Sequence, residues 1–181
     1  TGLRTKEWLE YWFTHFNIDM KYAKEAGPKI EAMAVEKIRH GAKEMEGVQE
    51  ILKFFKDKQF TIGLATSSSS RLIDVIIDKL GIRSYFSAFS SAEHLTFSKP
   101  HPEVYLNCAK LMGVPPTGCI CFEDSFNGMI SAKAARMKCI VVPEPTFYHQ
   151  DKWAAADLKI PSLMQFNEAS LTNLIIGSGV K

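Results

Sequence analysis

The sequence predicts an α/β protein with a mostly parallel sheet, preceded by a segment that is helical only. Three observations carry this. Beyond Gly47, short apolar runs alternate with amphipathic stretches of about ten residues, the pattern of strand–helix–strand crossovers. Before Gly47, apolar residues recur only at helical spacing. Three polar clusters follow three successive predicted strands, where parallel sheets bind their ligands: Thr66-Ser-Ser-Ser-Ser70, Ser98-Lys-Pro-His-Pro102 and Glu123-Asp-Ser-Phe-Asn-Gly128.

In the helical segment, Trp8, Leu9, Trp12, Phe13 and Phe16 fall on one apolar stripe, expected to pack into a core. Gly27-Pro28 is expected to break the chain, with a second stripe of Ile30, Met33, Ala34 and Ile38 after it. Past Gly47, Val48, Ile51, Leu52 and Phe55 give a short amphipathic helix, and Phe60–Thr66 reads as a strand. The next helix carries Leu72, Val75, Ile76 and Leu80 and stops at Gly81, since glycine takes the left-handed cap conformation at little cost. A strand over Phe86–Ser90 is followed by a helix over 102–112 that ends at Gly113. Cys119–Phe122 reads as a strand, 126–137 as an alanine-rich helix and Cys139–Val142 as a further strand.

Composition narrows the function classes. With 181 residues, 46% of them hydrophobic, the chain is long enough to bury roughly 70% of its unfolded surface. It has 22 basic and 20 acidic residues and no charge run, which gives no reason to expect a nucleic-acid partner. No apolar run approaches the ~18 residues of a membrane span, so no membrane partner is expected. The first residues do not read as a secretory leader, and Cys108, Cys119, Cys121 and Cys139 form no C-x-x-C pair. Reduced, buried thiols and a cytoplasmic location are therefore expected. Neither G-x-G-x-x-G nor G-x-x-x-x-G-K-[ST] occurs, so dinucleotide and Walker-type sites have no support.

In a parallel sheet, the three polar clusters bring a hydroxyl, an ammonium and two carboxylates to one edge. Carboxylate oxygens with water and a substrate phosphate suit Mg²⁺. A hydroxyl and backbone N–H groups at a helix start cradle phosphate oxygens, and a lysine neutralises charge in phosphoryl transfer. Each cluster alone has an ordinary reading. A Ser/Thr run or an aspartate caps a helix, and a lysine before proline is a solvated loop residue. Their succession at three strand ends is what points to a phosphate site.

Leu64-Ala-Thr-Ser-Ser68, Ser98-Lys-Pro-His-Pro102 and Phe122-Glu-Asp-Ser-Phe-Asn-Gly-Met129 resemble motifs II, III and IV of the haloacid dehalogenase superfamily. The similarity is to its β-phosphoglucomutase-like subgroup, and within that to bacterial phosphatases of 2-deoxyglucose 6-phosphate and hexitol phosphates. Thr1-Gly-Leu-Arg4 resembles the substrate-facing loop of the family's helical cap. The resemblance implies part of that cap over 1–45 and a three-layer Rossmann-like core over 46–181. It implies Mg²⁺-dependent hydrolysis of a small phosphorylated sugar or sugar alcohol through an aspartyl-phosphate. A phosphomutase and a non-catalytic phosphate-binding module are the alternatives. By motif, Thr66 and the N–H of Ser67 would bind phosphate, and Lys99 would hold nucleophile and phosphoryl group together. Asp124 would bind Mg²⁺, Glu123 would do so directly or through water, Asn127 would orient the loop, and Arg4 would touch substrate from the cap.

The family's D-x-D nucleophile motif has no counterpart among Asp19, Asp57, Asp74, Asp78, Asp124, Asp151 and Asp157. The resemblance therefore puts the first strand and the nucleophile upstream of Thr1, and residues 1–181 alone are expected to be inactive. Between the strands at Phe60–Thr66 and Cys119–Phe122 it implies an opening, another segment in that place, or direct pairing of the two.

Overall fold

The structure, a computed structural model, describes residues 2–176. Thr1 of the cap-loop motif and residues 177–181 of the expected core lie outside them.

Two helices come first, α1 (Thr5–His15) and α2 (Ala23–Gly41), packed on each other. The aromatic stripe of α1 is divided. Leu9 and Phe13 are buried, while Trp8 is 44% and Phe16 62% exposed. Trp8, Tyr11, Trp12, His15 and Phe16 instead stack on one another at the surface, Trp12 and Phe16 with ring centroids 5.4 Å apart. A neighbouring helix covers a stripe only about 100° wide, and the aromatic half lies beyond it. The expected core packing of the whole stripe is corrected accordingly.

The expected break at Gly27-Pro28 does not occur either. α2 runs through both residues. Pro28 sits in the second turn, and good helix formers follow it. Packing of α2 against α1 and against α4 (Ser70–Leu80) offsets the lost N–H bond. Val35 is the buried centre of the second stripe, and Met33 is exposed.

The α/β part begins with α3 (Val48–Asp57), which buries Leu52 and Phe55. β1 (Gly63–Thr66) and β2 (Ala88–Ser91) pair in parallel. β1 is shorter than the expected Phe60–Thr66 because its ladder with β2 starts only at Gly63, while Phe60 packs its ring on Phe55. On α4, Ser69 caps the first turn and Gly81 ends the helix in the left-handed conformation. Its buried residues are Ile73 and Ile77, with the expected Leu72, Val75, Ile76 and Leu80 at the flanks of that face. α5 (Glu103–Met112) ends at Gly113 as expected.

β3 (Ile120–Glu123), β4 (Lys138–Val141) and the short β5 (Leu158–Lys159) form a second parallel sheet in that order. α6 (Phe126–Ala134) stops three residues before the expected end, where Arg136 takes a φ of 62° and Met137 turns into the core. α7 (Glu168–Ile176) closes the described chain. Along β4, Cys139 and Val141 join the core with α5 and α6, and Ile140 joins that with α3 and α7. Burial on both faces is why these strands read as continuous apolar runs. The result is the three-layer parallel α/β architecture that the sequence predicts, with helices α1 and α2 outside it. Among the described residues no ladder joins β1 to β3, the edge strands of the two sheets.

Candidate active site

The ends of β1 and β3 and the loop before α5 surround a polar cavity of about 370 Å³. Its lining includes Gly2, Thr66, Ser67, Lys99, Glu123 and Asp124. Five of the seven residues singled out from sequence are thus brought together. Arg4 and Asn127 are not among the lining residues.

Each side chain is held by local structure. Thr66 ends β1, and its Oγ1 accepts from the N–H of Ser68 at 3.1 Å. Ser67 Oγ donates to the Gly2 carbonyl at 2.8 Å. Lys99 and Glu123 form a buried ion pair, 7% and 6% exposed at the side chain. Lys99 Nζ also donates to the Ala65 carbonyl at 3.2 Å, so it joins the end of β1 to the end of β3. Glu123 Oε1 accepts from Lys99 and from Tyr105 Oη, and Oε2 accepts from Ser125 Oγ at 3.0 Å and Ser125 N–H at 3.3 Å. The carboxylate can sit this deep because Gly128 of α6 leaves the room; a Cβ there would lie 2.0 Å from Glu123 Oε2.

Asp124 stands exposed at the cavity mouth, with no cation within 4 Å among the described residues. The surrounding chain desolvates its carboxyl and the Glu123 charge adds to this, so its pKa lies above the ordinary carboxylate value. An acidic group made costly to ionise by desolvation, at the cavity mouth, suits a divalent cation. Asp124, with room beside it for water and phosphate oxygens, matches the one or two carboxylates that Mg²⁺ takes, while the oxygens of Glu123 are already held by Lys99, Tyr105 and Ser125.

The Asn127 side chain makes no hydrogen bond among the described residues. Ser125 holds the loop: besides its bonds to Glu123, its Oγ accepts from the Gly128 N–H at 3.0 Å and caps α6. Arg4 lies in a second cleft of about 480 Å³, beside Lys24, Glu31, Ser69 and Glu93, which touches the first at Ser67. Its guanidinium donates to Glu7 at 2.7 Å and to the carbonyls of Leu95 and Ala92 at 2.6 and 3.3 Å. Ser98 donates to the same Glu7. This network ties the start of α1 to the loop that carries Lys99.

A family model described as haloacid dehalogenase-like hydrolase matches residues 3–142. The chain belongs to this family. It is 35% identical over 170 residues to hexitol phosphatase B of Escherichia coli, covering 94% of this chain and 77% of that protein. Fructose-1-phosphate phosphatase YqaB of Escherichia coli is 40% identical over 81 residues, 45% of this chain and 43% of that one. In structure, β-phosphoglucomutase from Clostridium difficile superposes with a TM-score of 0.87 over 99% of this chain and 80% of its own, at 22% identity, a likeness of fold.

For this haloacid dehalogenase-like hydrolase, sequence reasoning missed Tyr105, Ser125 and the Glu7–Ser98 contact. Tyr105 looks like one more apolar face residue of α5, and only its hydroxyl hints at a polar partner. Glu7 offers a direct test of the latch. Burial alone would raise its carboxyl, but hydrogen bonds from Arg4 and Ser98 outweigh this and hold it below the usual value. A depressed folded pKa stabilises above the unfolded value of about 4.3, and that stability is lost as pH falls through the folded value. The acid limb of a melting-temperature profile is therefore expected to be shallower in Glu7→Gln than in the native protein. Identical limbs would show that Glu7 holds nothing.

Proposed function

We propose that this hydrolase is a Mg²⁺-dependent phosphomonoesterase acting on a small phosphorylated sugar or sugar alcohol. The observation that carries the reading is the meeting of Thr66, Ser67, Lys99 and Asp124 in one polar cavity at the ends of two parallel strands. Thr66 Oγ1 and the Ser67 N–H bind phosphoryl oxygens, and Lys99 compensates their charge. Asp124 holds the cation, with Glu123 contributing directly or through water. When bound, Mg²⁺ supplies charge neutralisation at the phosphoryl group.

The nucleophile in this reading is an aspartate N-terminal to Thr1 that forms an aspartyl-phosphate. In support, among the described residues the only acids lining the cavity are Glu123, already paired, and Asp124. The relatives named as hexitol and fructose-1-phosphate phosphatases favour a phosphorylated polyol or sugar as substrate. The four free cysteines suit a reducing, cytoplasmic setting.

Calorimetric titration with Mg²⁺ tests the metal assignment. Asp124→Ala is expected to weaken binding about tenfold or more, since even outer partners of metal ligands contribute that much. Unchanged affinity would remove Asp124 from the site. Turnover is expected only when an N-terminal segment supplies the aspartate, with hexitol or hexose phosphates preferred over nucleoside monophosphates. Hydrolysis by residues 1–181 alone, or a preference for nucleotides, would overturn the reading.

A further inference from the structure

Tyr105 is buried on α5, in the core cluster that also holds Ala109, Cys121 and Met129. Its hydroxyl is engaged twice: it donates to Glu123 Oε1 and accepts from Lys99 Nζ at 3.1 Å. The Lys99 ammonium also stands 4.7 Å from the centroid of the same ring. An ammonium has three N–H protons. In Lys99 they go to the Ala65 carbonyl, the Tyr105 hydroxyl and Glu123 Oε1. The ammonium is therefore fixed from three sides, by β1, by α5 and by the end of β3.

Packing does not explain the hydroxyl. A phenylalanine would fill the same space, and a buried hydroxyl costs free energy unless it is paired. We infer that Tyr105 is a positioning residue: its hydroxyl, held between Glu123 and Lys99, fixes the Lys99 ammonium at the cavity wall where an oxyanion binds. Tyr105 itself does not line the cavity and acts through these two residues. Without the hydroxyl, Glu123 Oε1 loses one of its two donors and the ammonium one of its three acceptors. Lys99 then samples several orientations, and its positive charge is held less precisely at the cavity wall.

The inference rests on the cavity being an oxyanion site, and two readouts on the native chain and Tyr105→Phe separate the two ideas. The first is the ¹H–¹⁵N signal of the Lys99 ammonium, assigned by its loss in Lys99→Met. An ammonium with three fixed acceptors exchanges slowly, so the signal is expected to be sharp in the native chain and broadened in Tyr105→Phe. The second is titration with inorganic phosphate followed by ³¹P line shape. Loss of one positioning hydrogen bond is expected to raise Kd about five- to tenfold. Tyr105→Phe keeps the ring, so its circular dichroism is expected to match that of the native chain. A sharp Lys99 signal in the variant, or none in the native chain, would overturn the inference. Broadening in the variant with no phosphate binding by either protein would uphold the positioning and sink the oxyanion reading.

Discussion

Lys99→Met is expected to destabilise the protein by about 3–5 kcal/mol, the cost of stranding one partner of a buried ion pair. Lys99 and Glu123 are each less than a tenth exposed, and among the described residues Glu123 has no other cation partner once the ammonium is gone. Methionine matches the lysine stem in length, so lost packing is a small part of the effect. Urea denaturation of the single variant and of Lys99→Met/Glu123→Gln measures this. Neutralising the stranded carboxylate is expected to recover most of the loss. A solvated loop lysine, the ordinary reading of Ser98-Lys-Pro100, would change stability by no more than about 0.5 kcal/mol, and that result would contradict the buried pair. Under the proposed phosphatase reading, with an N-terminal aspartate supplied, Lys99→Ala is also expected to cost about 3 kcal/mol or more of transition-state stabilisation, the scale of one lost preorganised charge partner. That corresponds to a fall of about a hundredfold or more in kcat/KM.

Gly128→Ala is expected to destabilise the protein by about 3 kcal/mol or more, against the usual sign for this change inside a helix. In an isolated helix, alanine in place of glycine gains about 1 kcal/mol. Here the new Cβ would lie 2.0 Å from both Cδ and Oε2 of Glu123, a distance no non-bonded pair of these atoms can keep. Because Gly128 is fixed in the first turn of α6, the carboxylate must move, giving up its bonds to Lys99, Tyr105 and Ser125. Overpacking costs about 1–3 kcal/mol, and a disturbed buried ion pair adds to it. The same variant is expected to weaken phosphate binding, since Lys99 loses its anchor. A stabilised Gly128→Ala protein would mean that Glu123 has another comfortable position.

The alternation of strands and helices past Gly47 was legible because both faces of the sheets are buried. Strands such as β4 then appear as unbroken apolar runs, and glycines stop α4 and α5 where the periodicity ends. Boundaries were less legible. β1 begins at Gly63, three residues later than its apolar run, because a ladder needs a partner and β2 is alongside only from there. The same reasoning failed on the first two helices. Gly27-Pro28 carries a strong local breaking signal, yet the contacts of α2 with α1 and α4 keep the helix intact. The aromatic stripe of α1 is helical in period, but periodicity gives a face without saying what covers it, and Trp8 and Phe16 remain exposed.

The sequence by itself determined the fold class, the family, and the meeting of Thr66, Ser67, Lys99, Glu123 and Asp124 at one edge. Chain direction alone carries residues at the ends of parallel strands to the same side. Only the tertiary structure decided how those residues share their bonds. It paired Lys99 with Glu123 out of water, brought Tyr105 from α5 between them and set Ser125 rather than Asn127 under the loop. It also turned Arg4 onto Glu7 and the carbonyls of Ala92 and Leu95. Apart from the short-range Arg4–Glu7 and Ser125–Glu123 contacts, those partners lie 6 to 91 positions apart along the chain. Local pattern cannot rank such contacts, because burial decides which donor and acceptor must find each other, and burial exists only once the layers have packed.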